Sequence, residues 1–152
     1  KDRTPESFML GTLATSTYGC SVGIAFRNDT DASFEVKSLA FDSVQRTFKS
    51  VKATYALEWL LTDGATGIDA EGEWQALTIP ETAPHVAGDP EATGEYRQSV
   101  TVTDGLPPRI PVGSVLILRW RHEKGASGPA MGIDNVKLEV SGLKKGFRVI
   151  AR

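Results

Sequence analysis

The sequence predicts an all-β domain, an antiparallel β-sandwich of jelly-roll-like form. Three observations carry this. Apolar residues recur with period two in successive short stretches, segments rich in Gly, Pro, Asp and Thr divide those stretches, and none shows the 3.6-residue periodicity of a long amphipathic helix.

The elements follow in chain order. Over residues 20 to 28, Cys20, Val22, Ile24 and Phe26 share one face and Ser21, Gly23, Ala25 and Arg27 the other, the pattern of a half-buried strand. Asn28, Asp29, Thr30 and Asp31 then turn the chain. The next strand, 34 to 41, changes apolar phase between Val36 and Leu39, so a β-bulge is expected near Lys37 or Ser38. Over 53 to 61, Tyr55, Leu57, Trp59 and Leu61 share a face opposite Thr54 and Glu58, with Leu60 the exception, and the segment reads as a central core strand. Further strands are expected at 74 to 79, 96 to 103 and 115 to 122. In the last of these, Leu116, Leu118 and Trp120 oppose a mixed face of Val115, Ile117, Arg119 and Arg121, which suits an internal strand. In the closing strand Val136, Leu138 and Val140 are in phase and Ile133 is not, placing an irregularity at Asp134 and Asn135. Residues 80 to 95, with Pro80, Pro84, Gly88, Pro90 and Gly94, form the longest irregular stretch, and loops of that length are commonly functional or mobile.

The chain has 152 residues, 40% hydrophobic and 24% charged, which suits a single domain able to bury a sizeable core without staples. The 17 Lys and Arg against 19 Asp and Glu leave a formal charge of -2, unlike the basic footprint of a nucleic-acid partner. The one basic cluster, Lys144, Lys145, Arg148 and Arg152, reads as a solvated tail over 141 to 152. Cys20 is the single cysteine, so no disulfide framework or thiolate cluster arises, and its strand phase makes it a small hydrophobe. No apolar run reaches the roughly 20 residues that span a bilayer, and the opening residues are not a signal peptide.

The segment Leu10, Gly11, Thr12, Leu13, Ala14, followed by Val22 to Asn28, resembles the opening of a jelly-roll-like domain common in secreted and surface-anchored bacterial proteins. Leu116 to Trp120 is similar to that family's Leu, hydrophobic, Leu, Arg, Trp strand, and Gly132, Ile133, Asp134, Asn135, Val136 to its closing strand. Gln45, Arg46, Thr47 stand where the family has Gln, Trp, Arg, and the segment 125 to 129 replaces its acidic loop. The resemblance implies an outline like that of concanavalin-like and carbohydrate-binding jelly rolls, and a secreted, cell-surface or periplasmic setting. It also implies that first strands of a larger domain precede this chain, which would leave an open sheet edge for strand pairing.

Candidate sites follow from residue chemistry. Asp134 with Asn135 is the expected metal site: calcium takes several oxygen ligands, and a bulge turns backbone carbonyls toward a carboxylate. Carbohydrate-binding jelly rolls hold structural calcium near a similar closing aspartate. The alternative is that Asp134 caps the bulge or pairs with Arg119. Asp63, Asp69, Glu71 and Glu73 lack calcium-loop spacing and read as a solvated hairpin tip. Trp59 and Trp120 are in phase with leucines and belong to the core, whereas Trp74 and Tyr96 flank the long loop and are the expected ligand-facing pair for stacking on a glycan. His85 and His122 have no ligand-spaced neighbours, no nucleophile elbow occurs, and paired carboxylates for glycoside hydrolysis could in principle come from Glu58 and Glu73. The expected function is non-catalytic: recognition of a glycan or another surface partner, or else a structural or adhesive spacer.

Overall fold

The computed structural model describes residues 9–15, 17–50, 55–80, 86–89, 93–123 and 129–142. Their strands are β1 (Leu10–Thr12), β2 (Cys20–Arg27), β3 (Phe34–Thr47), β4 (Tyr55–Thr62), β5 (Gln75–Leu77), β6 (Thr93–Val102), β7 (Arg109–Ile110), β8 (Val115–His122) and β9 (Met131–Ser141), with no helix among the described residues. One sheet runs β1-β9-β3-β6 with β7 also beside β3, the other β2-β8-β4-β5, and every pairing is antiparallel. The two sheets pack face to face as the expected all-β sandwich.

Both expected irregularities are present. On β3 the register with β9 shifts between Val36 and Ser38, so Lys37 is the extra residue and Leu39 returns to the core side. On β9 the second shift falls opposite Ala40 and Asp42, where Asn135 has φ 52°, a left-handed conformation that Asn tolerates better than most residues. It brings Val136, Leu138 and Val140 against the same core as Ile133 and Met131. The expected strand at 74 to 79 shortens to β5, β3 runs on past Phe41 to Thr47, and β6 starts earlier than expected, at Thr93, and ends at Val102. β9 reaches Ser141, so the expected tail starts inside the strand, and the basic cluster lies outside the described residues.

The core is built from inward rows that meet across the sandwich. Phe34, Leu39, Phe41, Val100 and Val102 face Phe26, Leu57, Leu116, Leu118 and Trp120, and the Phe41 and Trp120 rings meet edge to face at 5.2 Å. Toward the end of the sandwich where β8 finishes, the rows turn polar. Ser43 bonds the Tyr55 hydroxyl, whose burial pushes its pKa up to about 12, and burial lowers that of His122. Asn28, fully buried, ties the predicted turn: its amide donates to the carbonyls of Ala32, Ile110 and Pro111, and its Oδ1 accepts from Thr30.

Candidate functional site

The expected aromatic pair does not form one surface. Trp74 is half-buried against the four-stranded sheet, its indole N–H donating to Ala70 O at 3.1 Å and its ring 3.7 Å from the Arg119 guanidinium carbon. Tyr96 lies in β6, opposite Gln45 in the other sheet. Trp120 is buried as expected, while Trp59 is only partly buried and donates to Gly105 O at 2.8 Å. Among the described residues the most exposed aromatic ring is Tyr18, 73% exposed just before β2, with Leu13 exposed in the same connection.

Asp134 and Asn135 sit in a charge cluster on the outer face of the five-stranded sheet. Arg97 Nη1 donates to Asp134 at 2.8 Å and Asp42 at 3.0 Å, and its Nη2 donates to Glu95 at 2.9 Å. The Asn135 amide donates to Asp42 at 2.7 Å, Ser99 donates to Asp42 at 2.7 Å, and the Asn135 backbone N–H caps onto Asp134 at 2.8 Å. The Ser99 hydroxyl, then the Asn135 amide, hold the Asp42 carboxyl below its ordinary pKa, with Arg97 adding to them. The bulge cap is therefore present, but the arginine beside Asp134 is Arg97. Arg119 projects from the opposite sheet and takes Glu58 instead, because register sets Arg119 across from Glu58 on β4. Among the described residues no three His, Cys, Asp or Glu side chains gather as a metal site, and the charge opposite Asp42 and Asp134 comes from Arg97.

On the four-stranded sheet, the segment 63 to 74 folds back over the outer face. Ile68 sits against Gly23, where a Cβ would come within 2.3 Å of its Cγ2. Gly72 lies over Leu60, so the one residue out of phase in its strand is buried at 5% exposure. Asp63, Asp69, Glu71 and Glu73 point to solvent as expected, but their loop is a cover and not a projecting tip. Beneath it Arg119 reaches Glu58 at 2.6 Å and Ile68 O at 2.9 Å, and Arg121 reaches Glu58 at 3.1 Å. Glu58 is thus held by two arginines. Half-buried Cys20 lies opposite His122, which contacts Thr12 Oγ1 at 3.4 Å, and His85 lies outside the described residues.

The folded-back loop also makes a site that sequence periodicity missed. A cleft of about 530 Å³ follows β2, with Leu10, Val22 and Ile24 on its core side and Ala25, Arg27 and Ile68 on its outer side. Among the described residues β2 pairs with β8 alone, so within them its other edge is unpaired and lies along this cleft. Arg27 has distant partners: Asp29 at 4.0 Å and Gly64 O at 3.4 Å. The available signal was the uncharged run from Cys20 to Phe26, but alternation alone does not tell an edge strand from a central one.

Comparison with known proteins finds no match: no family, no curated protein and no solved structure. No helix among the described residues is long and apolar enough to cross a membrane.

Proposed function

We propose that the chain is a non-catalytic module of an exported bacterial protein and recognises a surface partner through the cleft along β2. The observation that carries this reading is the meeting, in one concavity, of apolar side chains, an unpaired strand edge and a weakly engaged cation. The strand order 1-9-3-6 and 2-8-4-5 fits a jelly roll and supports the resemblance on which the secreted, cell-surface or periplasmic setting rests. A glycan is one partner class. Stacking it on both Trp74 and Tyr96 has no geometric support, since the two lie on different sheets. Structural calcium at Asp134 and Asn135 belongs to the same reading and would have to displace Arg97 from two carboxylates. A chelator-induced fall in Tm that Asp134→Ala abolishes would support it, and an unchanged Tm would remove it.

The competing structural or adhesive spacer is favoured by one observation: Trp74, Trp59 and the Glu58 arginines are all engaged within the domain. A glycan array and a displayed peptide library, screened side by side, separate the readings. The expected result is a ligand from either library whose binding is lost in Ala25→Arg, which fills the cleft. Binding kept in Ala25→Arg but lost in Trp74→Ala or Tyr96→Ala would overturn the cleft as the site. Two blanks with well-folded protein would establish the spacer.

A further inference from the structure

We infer that the cleft accepts an extended peptide segment of a partner protein, added antiparallel to β2 as a new edge strand of the four-stranded sheet. The inference rests on the reading of the cleft as the recognition surface and specifies its occupant. β2 pairs with β8 residue for residue from Cys20 to Arg27 without a bulge, so its free edge is regular. Edge strands are usually blunted by proline, charge or a bulge, and Cys20 to Phe26 contains none of these. Protection comes instead from the walls, Leu10 of β1 on one side and Ile68 with Gly64 and Gly67 on the other.

Those walls select the occupant. A single extended chain is slim enough to lie along β2 between Leu10 and Ile68. The lined part of β2, Val22 to Arg27, measures about 20 Å at about 3.3 Å per residue, room for a segment of about six residues. Side-chain chemistry then alternates along it. Residues facing Leu10, Val22 and Ile24 are apolar, and those facing Gly23 and Ala25 beneath Ile68 are small. Antiparallel pairing is the commoner and slightly stronger mode, and it brings the N-terminal end of the segment to Arg27. Among the described residues the nearest partner of Arg27 is Gly64 O at 3.4 Å, and its guanidinium is offered to a carboxylate there. The partner's segment therefore begins with an acidic residue and continues as alternating apolar and small residues, with main-chain hydrogen bonds supplying affinity and the two rows supplying selection.

The test uses an acetylated, amidated peptide of the sequence glutamate, valine, alanine, leucine, alanine, valine, titrated into the full chain by calorimetry. Binding is expected, lost in Ala25→Arg, weakened about tenfold in Arg27→Glu, and restored there by a peptide with lysine in place of glutamate. A scan of single N-methyl groups along the peptide needs no protein variant. Methyls on amides that face β2 should abolish binding, while those on alternate amides leave it intact. Equal sensitivity of both sets, or of neither, in a peptide still displaced by Ala25→Arg would overturn strand addition and leave the cleft as the site. No peptide binding alongside a glycan that Ala25→Arg displaces would overturn the inference in the same way. Ligands insensitive to Ala25→Arg would overturn the cleft itself.

Discussion

The outer faces of the two sheets carry similar charge clusters in different surroundings. On the five-stranded sheet Arg97 gathers Asp42, Asp134 and Glu95, with side-chain exposures of 36% for the central Arg97, 14% for Asp42 and 20% for Asp134. On the four-stranded sheet Glu58 gathers Arg119 and Arg121 beneath the folded-back segment 63 to 74, with side-chain exposures of 12% for Glu58 and 18% for Arg119. The difference lies in the central residue, since Glu58 sits under the cover and Arg97 does not, while Arg121 at 43% is as open as Arg97. Water reaches Arg97 at the centre of the first cluster and screens its pairs, whereas removing the central carboxylate of the second strands a guanidinium under Ile68 and Trp74. The same cover forms one wall of the cleft along β2, so one loop sets both the energetics of its face and the shape of the candidate site.

Substitutions can break that contrast. Glu58→Ala is expected to lower stability by about 2–3 kcal/mol in urea denaturation, below the full penalty for a deeply buried pair because Arg121 remains partly solvated; a loss under about 1 kcal/mol would mean the cover does not exclude water. Gly23→Ala places a methyl 2.3 Å from Ile68 Cγ2 and 2.5 Å from Leu118 O, and should cost about 2 kcal/mol. Part of that cost should persist in an Ile68→Ala background, because the backbone clash stays; full recovery would show the sheet yielding there. On the open face, Asp42→Ala should cost about 1 kcal/mol or less, and adding salt should shrink the effect further. A loss as large as that of Glu58→Ala would contradict the comparison.

The smallest effect is a pH dependence. The folded state holds the Asp42 carboxyl below its unfolded value, so at low pH the unfolded chain binds more protons there. Its contribution is therefore complete above the ordinary carboxylate value of about 3.9 and is lost as pH falls through the folded pKa. Stability measured across the acid limb should fall less steeply in Asp42→Asn than in the parent chain. Matching curves would show that the network contributes nothing measurable.

Much of the fold was legible because period-two alternation and turn residues are local signals. The bulge at Lys37 and the irregularity at Asp134 and Asn135 could be read from single slips in apolar phase, since a slip of one residue turns a side chain to the other face, whereas the left-handed φ of Asn135 could not. The two-residue β7 carries too short a pattern to read, and the burial of Leu60 depends on a loop that returns over it at Gly72, far along the chain. The candidate site was less legible. Trp74 and Tyr96 flank one long segment in sequence, yet sheet assignment separates them. Arg119 and Asp134 were a reasonable pair by charge, and register sends each to a different partner. The cleft exists only once β1, β2 and the folded-back loop are brought together, a juxtaposition that no local pattern encodes.

The most direct test of the account is native-state amide hydrogen exchange along β2 in the isolated domain. In an edge strand alternate N–H groups pair with the neighbouring strand and the rest face away. The expected result is alternation from Ser21 to Arg27, slow amides bonded to β8 interleaved with fast ones facing the cleft. Continuous protection along the strand would contradict the account, since the edge offered to a partner would already be covered.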